Sequence, residues 1–376
     1  MSGSEATTTS KGKRRLRLSL DAWRRLDRTI NRHGVRLPWR TRIGYWLSGA
    51  GHALLFRIQN ASHAEKIRTV VSPPPIFLLG FWRSGTTFLH ELFCCDPRFG
   101  YPSTYACLNP SHFLLTEEWV RKQRKGQEQT RRQMDDMRYS WISPQEDEFA
   151  LLALGARSAY EALIAPLLMR DARALLDLCR QPQELQDRWS SALRYFIQLL
   201  TVQQGKTMVL KSPPHGFRLP LLAALFPQAH YVVIDRNPYE VFASNLKLWR
   251  TLLEMYSLEA AQAEDIENFI LEAYVLHEEV LAKGVRQLKP QSLARVRYEE
   301  LVADPIGQMA RLYTELDLED FDKLRPRLEQ YLQSVAGHRR NRFLLSPEQK
   351  ERVDAAWRDS IGTKGYQWSD EYVTVA

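Results

Sequence analysis

The stretch GFWRSGTT, residues 80–87, combines the residue types and spacing of an anion cradle. Gly80 and Gly85 bracket a tight turn between an apolar run, residues 76–79, and a segment from Thr86 to Phe93 with helical apolar spacing. A turn of this kind aims backbone N–H groups at an anion, and the dipole of the following helix adds to their attraction. Thr86 and Thr87 supply hydroxyl donors in the first helical turn. The phosphate-binding pattern G-x-x-x-x-G-K-[ST] is broken at one place: Thr86 stands where the lysine belongs, and the basic residue of the loop is Arg83. That lysine normally reaches the outer phosphates of a nucleoside triphosphate, so the cradle is suited to a different anion.

A second constellation lies in YVVIDRNPYEVFASNLKLW, which begins at Tyr231. Arg236 stands at the end of a predicted strand, and Ser244 follows eight positions later, near two turns into the next helix. The two can converge on one phosphate, the arginine as a planar fork and the serine as a hydroxyl donor. A strand-end arginine can equally pair with an acid. The run of apolar residues ending in Asp235 also has the look of the magnesium-binding strand of a nucleotide hydrolase, a chemistry that needs the missing loop lysine.

Four short β-branched or apolar runs, residues 76–79, 208–210, 231–234 and 294–298, are predicted strands that hold these groups. Helical patterns separate them, which predicts an α/β fold: a mostly parallel central sheet with helices on both faces. Asp304 followed by Pro305 marks one helix start, and Ser346, Pro347 and Gln349 mark another. Well over a hundred residues separate the first two of these strands. Within them, residues 105–205 are expected to form a mainly helical insertion, a cap over the strand ends where ligands of open α/β sheets bind and the expected acceptor-binding element.

Together the segments resemble sulfotransferases that use 3′-phosphoadenosine 5′-phosphosulfate (PAPS). FWRSGTTFLHELF is similar to their 5′-phosphosulfate loop, and VVIDRNPYEVFASNLKLW to their 3′-phosphate motif. VLKSPPHGFRLPLLAALFP precedes the latter at the expected distance, and VRYEELVADP follows it. The resemblance runs from about Pro73 to Pro305 and implies a P-loop-like fold for a domain of residues 71–376. It implies that Arg83, Ser84, Gly85, Thr86, Thr87 and Phe88 surround the 5′-phosphosulfate and adenine, that Arg236 and Ser244 hold the 3′-phosphate, and that Tyr298 borders the base. A late basic segment of the family finds its nearest counterpart in GHRRNRF, with Arg339 and Arg340, although the match there is poor.

PAPS carries no third phosphate, which accounts for the missing lysine. The resemblance makes Arg83 and Lys211 the cations near the transferred group. Cytosolic members carry a histidine two residues after the corresponding lysine; here that position is Pro213, and His215 follows two further on. Other branches use a glutamate after the first loop, and SPQEDEF offers Glu146 and Glu148. The expected base is Glu146, then Glu148, then His215. The expected reaction is in-line transfer to a hydroxyl, or less readily an amine, with no metal required. A nucleotide-dependent kinase or hydrolase, and a non-catalytic membrane adaptor with a degenerate loop, stand as alternatives.

Composition narrows the setting. Residues 1–45 hold twelve Lys/Arg and three Asp/Glu, a net of +9 against +8 for the chain, so the remainder carries about −1. Residues 1–13 are expected to be a disordered tail, and 14–70 a basic helical region. Leu20, Trp23, Leu26 and Ile30 share one helix face, fit either for packing on the domain or for peripheral contact with an anionic membrane. Nucleic acid is not expected, because no reader module or interleaved aromatics accompany the charge. The four cysteines lack metal or disulfide spacing, and no signal peptide is evident, which predicts a cytoplasmic enzyme, with the inner membrane surface as a further expected location. Acceptors compatible with the aromatic, basic insertion are a lipid alcohol, glycolipid, phenol or sugar.

Overall fold

Apolar runs too short to be core helices become strands here because helices cover them on both sides. A computed structural model describes residues 15–34, 36–123, 130–131, 138–336, 342–368 and 373–375. The expected tail at 1–13 and the Arg339–Arg340 pair lie outside the described residues. In chain order the strands are β1 (Ile76–Leu79), β2 (Phe99–Gly100), an antiparallel pair β3 (Thr130–Arg131) and β4 (Arg138–Tyr139), β5 (Thr207–Lys211), β6 (His230–Asp235), β7 (Leu293–Arg297), and the parallel pair β8 (Phe343–Leu345) and β9 (Val373–Val375).

Five of these form one parallel sheet in the order β2-β5-β1-β6-β7. Central β1 is wholly buried, with Leu78 opposite both Lys211 and Val232. Its side chains alternate between two cores. Phe77 and Leu79 pack with Leu210, Tyr231 and Val233 on one face; Ile76 and Leu78 pack with Val209, Val232 and Ile234 on the other.

The N-terminal helices are α1 (Leu20–Arg32) and α2 (Trp39–Thr69), and α3 (Thr86–Cys94) follows β1. Between β2 and β5 come α4 (Thr104–Leu108), α5 (Phe113–Gln123), α6 (Glu148–Ala153), α7 (Ala172–Leu176) and α8 (Gln183–Gln204). Then follow α9 (Leu219–Leu225), α10 (Pro238–Tyr256), α11 (Ala263–Val285), α12 (Tyr298–Ala303), α13 (Pro305–Glu315), α14 (Phe321–Val335) and α15 (Pro347–Thr363). Asp304 caps α13 by accepting from the Gly307 amide, and Ser346 with Gln349 forms a reciprocal capping box on α15.

Among the differences from the sequence reading are β2 and the place of Tyr298. Strand β2 was not expected; two residues are too few to show a period, and they join the sheet edge by pairing with Thr207 and Met208. Tyr298 was expected to end a strand but opens α12, with its ring against Gly85.

Helix α1 is docked on the domain. Trp23, Leu26 and Ile30 are buried, Trp23 stacks on Tyr45 of α2 with ring centroids 4.2 Å apart, and Arg25 donates to Glu161 at 2.8 Å. Its apolar stripe is therefore consumed by packing. Trp23→Ala should lower unfolding stability by about 3–5 kcal/mol, the range for truncating a buried aromatic, and this is measurable by denaturant titration. An unchanged midpoint would contradict a docked α1.

Candidate active site

The parallel sheet places its four motifs side by side at the carboxyl ends of neighbouring strands. The loop 80–85 follows β1, Lys211 closes β5, Arg236 follows β6 and Tyr298 follows β7. Gly85, at φ +97°, turns the chain into α3, and a Cβ there would fall 2.2 Å from the Tyr298 ring. Conformation and space thus both demand glycine. Arg83 also takes a left-handed backbone, φ +68°, a strained choice for a non-glycine residue. Buried Ser84 has a hydroxyl with no partner among the described residues.

Arg83 and Arg236 meet across the loop. Arg83 Nε donates to Ser244 Oγ at 2.8 Å, and an Arg236 terminal nitrogen donates to the Arg83 carbonyl at 2.9 Å. Arg236 also pairs with Glu240, one turn into α10, at 2.5 Å, and its guanidinium lies 4.3 Å from the centre of the Tyr298 ring. Ser244 and Arg236, Arg83, and Tyr298, named from three separate segments, are therefore one cluster. Phe88 lies beside Tyr331, with centroids 6.5 Å apart.

The other half of the site is built on Lys211. Its Nζ lies 2.8 Å from Glu146 Oε1 and 3.5 Å from Thr87 Oγ1 in the first turn of α3. The other Glu146 oxygen accepts from the Tyr160 hydroxyl, which in turn accepts from Trp82 Nε1 at 3.3 Å. Burial, and then the Glu146 carboxylate, push the Tyr160 phenol well above its usual range, so it stays a donor.

The neighbouring carboxylates take other partners. Glu148 forms a two-pronged pair with Arg218 at 2.8 and 3.0 Å, and the Arg218 guanidinium lies 5.0 Å from the Trp189 ring centre. Asp147 accepts from His215 Nε2 at 2.8 Å and from Ser212 Oγ at 2.9 Å. Burial alone would raise the Asp147 carboxyl, but the charge and hydrogen bond of His215, with help from Ser212, hold it below the ordinary value. The side chains of Glu148 and His215 are 0% exposed, whereas that of Glu146 is 17% exposed. Of the three candidate bases, the structure brings Glu146 to Lys211 and Thr87 and seals the other two inside separate pairs.

The pattern of the sulfotransferase family matches residues 74–323. Two relatives, the omega-hydroxy-beta-dihydromenaquinone-9 sulfotransferases Stf3 of Mycobacterium bovis and Mycobacterium tuberculosis, are 38% identical over 299 residues, covering 79% of this chain and 76% of theirs. The chain belongs to the sulfotransferase family. The fold is shared with sulfotransferase STF9 of Mycobacterium avium (TM-score 0.68, 20% identity, 93% of both chains) and STF1 of Mycobacterium tuberculosis (TM-score 0.56, 21% identity, 74% of this chain and 76% of that one).

Within this sulfotransferase, Asp235, the residue suggestive of a magnesium strand, is held by Lys364 at 2.6 Å and by Arg295 at 3.6 Å. Its carboxylate already has cationic partners from the protein. Residues that the sequence reading did not single out are Tyr160, Trp82, Glu240 and Arg218. Glu240 had a legible signal, since it stands four residues after Arg236. Tyr160 and Trp82 had none, because their bonds to the site cross 14 and 78 residues of chain. A surface depression of about 500 Å³ between Cys179, Pro220, Val280 and Lys283 contains none of the residues above.

Removing one partner of a buried pair leaves the other charge unpaired, at a cost of about 3–5 kcal/mol. Glu148→Ala should therefore destabilise the fold by about that much, whereas the partial exposure of Glu146, 17% against 0% for Glu148, predicts a smaller loss for Glu146→Gln. Thermal and denaturant unfolding of the two variants distinguish them; equal losses would contradict the division between structural and site carboxylates.

Proposed function

We propose that this sulfotransferase moves the sulfuryl group of PAPS to a hydroxyl of an apolar lipid, with Glu146 as general base and Lys211 as the cation at the leaving oxygen. The observation that carries the reading is the 2.8 Å Lys211–Glu146 pair beside Thr87, at the mouth of the glycine turn. The residues suit the donor: two glycines against the neighbouring chain, an unpartnered buried Ser84 hydroxyl, and Arg83, Thr86, Thr87, Lys211 and Arg236 as donors. When bound, PAPS supplies a sulfur whose bond to the 5′-phosphate oxygen breaks as its bond to the acceptor oxygen forms.

The chain's own groups then have separable tasks. Loop amides and the Thr86 and Thr87 hydroxyls hold the 5′ side at the α3 N-terminus. Arg236 and Ser244 hold the 3′-phosphate, with Tyr298 at the adenine. Lys211 stands between the loop helix and Glu146, so it can exchange its carboxylate partner for charge developing on the leaving oxygen. Glu146, freed from that partner, takes the acceptor's proton, while Tyr160 and Trp82 keep its carboxylate in place.

Support for the acceptor class comes from the 38% identical relatives, whose names specify a hydroxylated dihydromenaquinone. A hydroxyl-bearing lipid is the member of the expected acceptor range that agrees with them. Such an acceptor resides in a membrane, which puts the reaction at a membrane surface, on the reducing, cytoplasmic side in keeping with four free cysteines.

The product nucleotide 3′-phosphoadenosine 5′-phosphate (PAP), left when PAPS gives up its sulfuryl group, should raise the melting temperature without magnesium, and more than ATP does. Arg236→Ala should weaken PAP binding by about 1.5–3 kcal/mol, as expected for a lost charge-assisted contact. With labelled PAPS and an ω-hydroxylated menaquinone, Glu146→Gln should lower kcat by about 10²–10⁴-fold while PAP affinity is kept. Magnesium-dependent stabilisation by ATP equal to that by PAP would overturn the donor. Near-normal turnover by Glu146→Gln, with His215→Asn folded but inactive, would move the base to the histidine.

A further inference from the structure

Helix α2 is apolar on two sides. Its inner side is spent on the protein: Tyr45 stacks on Trp23, and Gln59 donates to the Pro110 carbonyl at 3.1 Å and accepts from the Leu114 amide at 3.0 Å. Its outer side carries Trp39, Ile43, Trp46, Leu47, Leu54 and Ile58, all exposed, with Trp39, Leu47 and Leu54 at 66%, 70% and 60%. Their spacing keeps them on one helical stripe. A helix apolar on both sides has a second face to cover, and six large side chains on one stripe exceed the scattered exposure of an ordinary surface.

The charge around the stripe indicates its occupant. Between Asp27 and Glu65 the chain has six arginines and no Asp or Glu. Arg24 and Arg40 lie over the exposed tryptophans, Arg24 4.7 Å from the Trp46 ring and Arg40 5.5 Å from that of Trp39. Arg28 and Arg32 are exposed at the end of α1. Apolar residues with interfacial tryptophans and a basic rim are the chemistry of a helix lying in an anionic bilayer surface. No described helix is long and apolar enough to cross a membrane. A second copy suits the face less well, since a two-fold contact sets the arginine rim against itself.

We infer that the outer stripe of α2 docks the enzyme on an anionic phospholipid surface. The docked stripe α1 offers no apolar face for this role, so the contact belongs to α2 with α1 contributing charge. The same helix braces the insertion at Pro110 and Leu114, and the insertion hydrogen-bonds the segment leading to Glu146 through the Tyr105 and Gln145 amides, which donate to Trp141 and Pro102 carbonyls at 2.9 Å. Docking there puts bilayer and acceptor cap on two sides of one helix. The inference takes from the proposed function only the lipid nature of the acceptor; exposure and charge carry the surface itself.

The test is co-sedimentation of the full chain with vesicles of phosphatidylcholine alone and of equimolar phosphatidylcholine and phosphatidylglycerol, with PAP affinity measured separately. Binding should require the anionic lipid and weaken with added salt. The exposed double variant Leu47→Gln/Leu54→Gln should retain the wild-type circular dichroism and PAP affinity, yet bind the anionic vesicles about tenfold or more weakly. Arg28→Gln/Arg32→Gln should show the same selective loss. Failure of the intact chain to bind anionic vesicles, or wild-type binding by both variants, would overturn the surface. So would a dimer in sedimentation velocity that the leucine variant dissociates, which gives the stripe to a second copy. Loss of PAP binding by the wild type would instead count against the donor and leave the surface standing.

Discussion

Three consecutive carboxylates, Glu146, Asp147 and Glu148, each meet a different basic side chain of the strand end and turn after β5: Lys211, His215 and Arg218. These pairs span 65, 68 and 70 residues of chain and fasten the returning end of the insertion to the sheet. Charges buried to this degree are tolerated because each has further partners: Arg218 binds both Glu148 oxygens, and Ser212 serves both Asp147 and the Glu148 amide. Two of the three pairs are sealed and fix position. The third retains some exposure, at Glu146.

The sheet supplies the second constraint. Because β5, β1, β6 and β7 are adjacent and parallel, everything following their carboxyl ends meets at one edge. Gly85 has no room for a side chain because Tyr298 occupies it, and Arg236 lies on that same ring. Arg83 and Arg236 are held by Ser244 and Glu240, both one or two turns along α10, so a single helix sets the cationic side of the cradle. These protein partners fix the positions of both guanidinium groups at the edge of the glycine turn.

The N-terminal helices divide the labour that their composition suggests. The polar, amphipathic α1 spends its one apolar stripe on the core beneath Trp23, while 31-residue α2 packs with one side and exposes another. A buried and an exposed apolar stripe thus fall on different helices, although both carry arginines and both have aromatic residues in their sequences.

Local physics made much of this protein legible from sequence. The strand–glycine turn–helix at 76–94, the caps at Asp304 and Ser346, and the parallel α/β class all follow from neighbours within a few residues or from period. Family likeness rested on four ordered segments, whose order the chain preserves because each is the carboxyl end of one strand. Tertiary structure alone decided which acid is paired with which base. Glu146, Asp147 and Glu148 are alike in type and adjacent in sequence, and their separation into one site carboxylate and two buried anchors comes from partners more than sixty residues away. The same holds for Tyr160 behind Glu146, for two-residue β2, and for Tyr298, whose place at a helix start depends on packing against Gly85. Propensity and spacing act along the chain, whereas desolvation and ion pairing act through space, so the first could name the candidates and only the second could choose among them.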